Sequence, residues 1–380
     1  MITLYLLAFR FAFLLFRYFP QKNRVVFVVS FSENTRFIAD EFRSEHVAVE
    51  FVFLCRGKCI DAFKDDRSVV LPFETMNPGA LFRSAYYLAT AKVVFVDNYF
   101  GFLSVVRFRE GVPCIQIWHA PGALKTFGLE DNSIAGRSER ARRRFRKVYE
   151  KFDKVVAGSE IMADIFKRSF GLTDDRILRT GFPRTDFFFQ KHEAGRRPSH
   201  HFPADRKKIL YAPTFRNRQR DRFPLDLDLL KKELGHEYVL LLRLHPAERS
   251  GYRFSAEDQS FIIDCSNDSS IDELMLASDL LITDYSSIPV EYSLLGKPMI
   301  FYPYDLEAYG KERGFQSDYL KWVPGPVAFT TEELIKVIRQ DRFNLSQVKE
   351  FAALWNRYSH GDASKKLVDY VVGTYGLTRK

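Results

Sequence analysis

The chain is poor in cysteine, with Cys55, Cys59, Cys114 and Cys265 the only four in 380 residues. Their spacing makes no disulfide framework, which fits a reducing compartment. Cys55 and Cys59 form a lone C-x3-C without a second pair, so a strand end and a following loop are expected there rather than zinc. No uncharged apolar run is long enough to span a bilayer. The nearest approach, Leu4–Phe19, carries Arg10 and Arg17 inside it, and both would be expensive in hydrocarbon. No small-residue cleavage site follows that run, and its basic residues sit within the apolar stretch, which argues against a signal peptide. No recognised nucleic-acid motif accompanies the net charge of +9, so nucleic acid is not an expected partner. No strong metal-ligand cluster is present either; the expectation is no required cofactor, with loosely held Mg²⁺ as the sole metal considered.

What the chain has in abundance is aromatic and basic residues: 37 Phe, 18 Tyr and 57 Lys plus Arg. The positive balance makes an anionic partner plausible. In Leu4–Phe19 the two arginines fall on one helical face with Thr3. Pro20 ends the run, so residues 1–20 read as an amphipathic helix lying on a membrane surface, the alternative being a core helix of the first domain with two snorkelling arginines. The basic run Arg137, Arg140, Arg142, Arg143, Arg144, Arg146 and Lys147 has helical character, and is either a solvated face or a surface for anionic lipid. Together these predict a peripheral protein at the cytoplasmic face of the cell membrane.

Short β-rich runs alternate with helical stretches along the chain. Candidate strands are Val25–Ser30, Val49–Leu54, Val93–Asp97, Cys114–His119 and Val155–Gly158, then Ile209–Tyr211, Tyr238–Leu244, Phe261–Asp264, Leu280–Thr283 and Met299–Tyr302. Near-continuous apolar strands separated by helices predict parallel sheets covered on both faces. Two such sets predict an α/β chain of two Rossmann-like domains facing a cleft, at 21–195 and 205–380, with the N-terminal amphipathic helix in front. The polar stretch between them, rich in breakers around Gly195, Pro198 and Pro203, marks the boundary.

In open α/β sheets ligands bind beyond the carboxyl ends of the strands. Those ends carry His119 and, after a Pro-Gly turn, Lys125; Thr214 and Arg216; His245; and Asp284-Tyr285-Ser286-Ser287. The last set opens a helix with Pro289 in its first turn, a position that suits an anion. Two histidines at the ends of strands in different sheets, with cations and hydroxyls near them, are a candidate catalytic pair.

These elements together resemble the CDP-glycerol glycerophosphotransferases of teichoic acid synthesis. Trp118-His119-Ala120-Pro121-Gly122-Ala123-Leu124-Lys125 looks like the family's WH-G-x-x-x-K element, although Ala120 stands where Gly is usual. Tyr211-Ala212-Pro213-Thr214-Phe215-Arg216 resembles its APT-aromatic-R turn, Arg243-Leu244-His245-Pro246 its R-x-HP, Thr283-Asp284-Tyr285-Ser286-Ser287 its TDYSS and Gly181-Phe182-Pro183-Arg184-Thr185-Asp186 its G-x-PR-x-D. Late in the chain Gly361-Asp362-Ala363-Ser364 resembles a closing DG-x-x-S element with the first two residues exchanged. The resemblance implies a glycosyltransferase-B-like fold. It also implies CDP-glycerol as donor, a saccharide on undecaprenyl diphosphate as acceptor, and a single addition in the manner of the primases. His119 and His245 are then the expected catalytic residues. Lys125, Arg184, Thr214, Arg216, Asp284, Ser286, Ser287, Asp362 and Ser364 are expected to bind substrate. A CDP-ribitol or capsule-polymer enzyme would carry nearly the same motifs. A nucleotide-sugar glycosyltransferase or an epimerase of the same fold would usually show an acidic pair for sugar hydroxyls, and a non-catalytic membrane protein would use the histidines for packing.

Overall fold

The computed structural model describes residues 2–64, 68–134, 136–190, 202–216, 223–244, 254–255, 258–266 and 270–380. The chain forms two compact units: Met1–Pro121 with Phe127–Phe189 and Asn356–Lys380, and Gly122–Thr126 with Gln190–Trp355.

The first unit is built on seven parallel strands, β1 (Arg24–Val29), β2 (Glu50–Cys55), β3 (Ser68–Pro72), β4 (Val93–Val96), β5 (Cys114–Gln116), β6 (Lys154–Val156) and β7 (Ile177–Leu178), in the order β3-β2-β1-β4-β5-β6-β7. The aromatic excess is spent here. Phe27 on β1 is in register with Phe53 on β2 and Phe95 on β4. The three rings stack across the sheet at centroid distances of 5.3 and 5.0 Å, in the offset geometry aromatic pairs favour. Cys55 ends β2, and burial pushes its thiol up to about 12; Cys59 lies in the following turn and donates to the Ser30 carbonyl. Two strands escape the hydropathy pattern. β3 is a partly exposed edge strand and β7 is two residues long.

Helices α1 (Ile2–Phe16), α2 (Ser32–Ser44), α3 (Pro78–Ala89), α4 (Glu139–Tyr149) and α5 (Glu160–Phe170) surround this sheet. Helix α1 belongs to the first unit and is not the separate segment expected for residues 1–20. Phe9, Ala12 and Phe13 are fully buried, with Phe9 edge-on to Phe73 and Phe13 edge-on to Phe108. Its outer side is also apolar: Leu4 is 73 % exposed, Phe11 66 % and Leu7 56 %. The helix is therefore apolar on two sides, with Arg10 exposed among them, and is less amphipathic than the sequence suggested. No helix among the described residues is long and apolar enough to cross a membrane.

The expected 205–380 domain is corrected at its C-terminal end. Helix Ala363–Tyr375 returns to the first unit and buries Leu367, Val368 and Val371 in its core. Asp186 caps its start, accepting from the Ala363 and Ser364 N–H groups at 2.9 and 2.8 Å. The close approach depends on Gly181, at φ +89°, where a Cβ would lie 2.4 Å from the Tyr358 carbonyl oxygen. Gly361, at φ +87°, is confined in the same way by Phe189.

The second unit has five parallel strands, β8 (Lys207–Ala212), β9 (Tyr238–Leu242), β10 (Ile262–Asp264), β11 (Leu280–Thr283) and β12 (Met299–Phe301), ordered β10-β9-β8-β11-β12. Both sheets reverse strand order once, between β1 and β4 and between β8 and β11. Those are the switch points where an open α/β sheet leaves a crevice at its strand ends.

Candidate active site

At the switch point of the first unit a histidine is clamped from several directions. Asp97 follows β4 and is fully buried; its carboxylate accepts from the Ser30 N–H at 2.7 Å and the Phe31 N–H at 2.7 Å. Burial pushes this carboxyl up to about 7, against the pull of those N–H groups. The Phe31 ring held by this turn stacks on the His119 ring at 4.2 Å and 18°. The Asp97 carbonyl lies 3.2 Å from His119 Nδ1. A carbonyl can only accept, so neutral His119 carries its proton on Nδ1 and has its basic lone pair on Nε2.

The residue before it, Trp118, sits at φ +51°, an unusual conformation for a bulky side chain. It is held there at both ends. Its N–H donates to Gln116 Oε1 at 2.8 Å, and its carbonyl accepts from Asn34 Nδ2 at 3.0 Å. Asn34 Oδ1 in turn accepts from the Arg184 N–H at 3.0 Å. The Arg184 motif is thus tied to the strand end that presents His119, although Arg184 itself is buried in this unit. Asn34, Phe31 and Asp97 were not among the expected site residues. Only Asp97 had a signal, as a lone carboxylate ending an apolar strand.

The switch point of the second unit opens into a hollow of about 390 Å³, lined by Lys125, Thr214, Arg243, Ser286, Ser287, Tyr309 and Arg313 among others. Lys125 arrives on the short segment Gly122–Thr126, which hydrogen-bonds along residues 313–316. Gly122 permits this, since a Cβ there would meet Val290 at 2.4 Å. Burial lowers Lys125 to about 8, partly offset by the Asp284 carboxylate. The Thr214 hydroxyl is buried without a hydrogen-bond partner among the described residues. Among the described residues, three cations and an unsatisfied hydroxyl around one hollow are equipment for a polyanion.

Arg216 has a different place from the expected one. Its guanidinium is buried between two carboxylates, Asp284 at 2.8 Å and Asp305 at 2.9 Å, and lies over the Tyr309 ring at 4.6 Å. Asp284 also accepts from the Thr214 and Tyr285 N–H groups at 2.8 and 2.6 Å. Arg216 and Asp284 therefore shape the hollow without lining it. The helix expected to open at Ser286-Ser287 is only the five residues Ile288–Tyr292; the Ser287 side chain makes no capping bond, while Ser286 Oγ accepts from the Ile288 N–H at 3.2 Å. So short a helix has little dipole, so Lys125, Arg243 and Arg313 supply the positive field.

Asp362 and Ser364 do not line that hollow. Asp362 pairs with Lys366 at 2.7 Å, and buried Ser364 sits at the Asp186 cap, so both serve the joint that returns the C-terminal helix. His245 lies outside the described residues. Among the described residues no group of three or more His, Cys, Asp or Glu is placed to hold a metal ion.

Two parallel α/β sheets, each with polar groups gathered at its own switch point, place the chain in the class of two-unit Rossmann-like proteins. The family described as CDP-glycerol:poly(glycerophosphate) glycerophosphotransferase matches residues 9–373, and the chain belongs to that family. It is 38 % identical over 358 residues to the teichoic acid glycerol-phosphate primase of Bacillus subtilis (strain 168), covering 92 % of each chain. The solved structure of the wall teichoic acid polymerase TagF superposes with a TM-score of 0.79 at 25 % identity, covering 97 % of this chain and 94 % of that one. A UDP-N-acetylglucosamine 2-epimerase structure from Listeria monocytogenes shares the fold at a TM-score of 0.59 and 15 % identity, over 93 % of this chain and 97 % of that one. The chain is an enzyme of the glycerophosphotransferase type.

Proposed function

We propose that this enzyme moves glycerol phosphate from CDP-glycerol to a hydroxyl of a membrane-bound saccharide carried on undecaprenyl diphosphate, in teichoic acid synthesis, and releases CMP. The observation that carries this reading is the hollow at the β8/β11 switch point, with Lys125, Arg243, Arg313 and the unsatisfied Thr214 hydroxyl. A nucleotide diphosphate is the guest such a lining suits. The primase name of the Bacillus relative supports the donor and the single addition.

In this reading the acceptor oxygen attacks the phosphorus that bears glycerol. The new O–P bond forms as the bond to the bridging oxygen breaks, and CMP leaves with that electron pair. His119 Nε2 takes the acceptor's proton, the work of a general base. Lys125, Arg243 and the hydroxyls of Ser286 and Ser287 stabilise charge on the departing nucleotide. His245 is assigned to the same task on its motif alone.

The exposed apolar residues of α1 and the basic face of α4 support a peripheral place on the bilayer. The cytoplasmic face follows from a nucleotide donor. The test is release of CMP from CDP-glycerol by purified protein with a lipid-linked saccharide acceptor, together with mass analysis of the product. No CMP release with any acceptor would refute the reading. Equal or faster use of CDP-ribitol would move the chain to the ribitol enzymes.

A further inference from the structure

Two adjoining hollows of the first unit are left unused by this mechanism. The first, about 350 Å³, lies at the carboxyl ends of three strands. Arg56 follows β2, Glu74 comes shortly after β3 and Tyr99 shortly after β4, with Tyr5 and Leu6 of α1 as the roof. Arg56 Nε is 3.2 Å from Glu74 Oε2. Glu74 adopts φ +53°, which a non-glycine residue keeps only where its surroundings hold it. The Tyr99 hydroxyl is buried beside Arg144, with no well-formed hydrogen bond among the described residues. A carboxylate, a guanidinium and a tyrosine hydroxyl against apolar walls can accept from and donate to hydroxyl groups. The carboxylate would repel a bare anion.

The second hollow, about 430 Å³, shares Leu6 and Arg144 with the first. Arg140, Arg143 and Lys147 of α4 also face it, opposite Thr3 and Leu7 of α1, and among the described residues no carboxylate lines it. The acid of that helix, Glu139, pairs with Arg142 instead. Four cations around one hollow suit a group with more than one negative charge. Past Leu7 lie the exposed Leu4, Phe11 and Leu14.

These features follow one another in space. His119 is held by the Asp97 carbonyl, and Tyr99 is two residues further on, at most about 7 Å of chain. The order is base, hydroxyl-binding hollow, polycationic hollow, apolar surface. We propose that the two hollows hold the head of an amphiphilic acceptor in that order: a saccharide in the first, a diphosphate in the second, and an isoprenoid tail leaving over α1. This deepens the function proposed above and rests on it. General attraction to an anionic membrane would explain the cations but not the carboxylate hollow beside them.

The full-length protein tests this with two acceptors bearing the same saccharide, one on an isoprenoid diphosphate and one a simple methyl glycoside. R143Q/K147Q should raise KM at least tenfold for the diphosphate acceptor and less than twofold for the glycoside. E74Q and, as a milder change, Y99F should raise KM for both. Neutralising Lys336 and Lys349, exposed in the second unit, controls for lost net charge. In flotation, wild type should favour phosphatidylcholine vesicles carrying an isoprenoid diphosphate over vesicles of equal charge made with phosphatidylglycerol, and R143Q/K147Q should abolish that preference. Equal flotation with both lipids, or equal losses in R143Q/K147Q and the lysine control, overturns the diphosphate hollow. Unchanged KM for both acceptors in E74Q and Y99F overturns the saccharide hollow. If wild type releases no CMP at all, the proposed reaction fails while the vesicle comparison still decides the diphosphate site.

Discussion

Lys125 gives the proposed donor hollow a pH signature. Burial lowers its ammonium from the ordinary lysine range to about 8, because the charged form loses water that Asp284 only partly replaces. A bound diphosphate supplies the missing negative charge and must raise that value. The sign follows from linkage: affinity is complete below about pH 8 and falls as pH rises through the free protein's value, because the lysine must then take up a proton to bind. About nine-tenths of the lysine is charged at pH 7 and about one-tenth at pH 9, so the affinity for CDP-glycerol should weaken roughly tenfold over that interval. The phosphates of the donor are diesters and keep their charge throughout. Calorimetric titration at pH 7, 8 and 9, in buffers of different ionisation enthalpy, reads both the affinity and the proton taken up. Lys125→Arg should flatten the profile because guanidinium does not titrate here, and Lys125→Met should flatten it at lower affinity. A flat profile in the wild type, or the same slope in all three proteins, would refute the placement of the diphosphate at Lys125.

His119→Ala should lower kcat by roughly a hundredfold or more, the usual cost of a lost general base, with CDP-glycerol affinity changed far less; steady-state rates alongside titration check this. Arg216→Ala should cost about 3–5 kcal/mol of stability in urea unfolding, because it leaves Asp284 and Asp305 buried without their cation, and donor affinity should fall through disorder of the Thr214 turn. On α1, replacing Leu4, Phe11 and Leu14 by Gln should reduce liposome flotation while leaving the melting temperature nearly unchanged. Phe9→Ala, on the buried side of the same helix, should instead cost about 3–5 kcal/mol of stability. Simple deletion of residues 1–19 would confuse the two effects, since it opens the core.

The strands β1, β2, β4, β5, β6, β8, β9, β10, β11 and β12 are legible in the chain because each lies in a short apolar run, and that pattern is local. Their carboxyl ends can be read the same way, so the order of residues alone marks His119, Lys125, Thr214 and Ser286-Ser287 as strand-end residues. What the chain does not show is which of these ends adjoin, because strand order is a matter of long-range pairing. Only the tertiary structure places the reversal between β1 and β4, and with it Asp97, Phe31 and Asn34 around His119. The same holds for the acids and bases. Arg216 is a cation at a strand end in sequence, but its charge is already answered by Asp284 and by the distant Asp305. Asp362 and Ser364 have the character of ligand residues in sequence, but the chain's last helix returns to the first unit and uses them at a joint that Gly181 and Gly361 leave room for. A motif records which residues a site or a joint needs. Whether a given side chain faces substrate or another part of the same chain depends on partners far away in sequence, and burial and hydrogen bonding settle that only once the fold has closed.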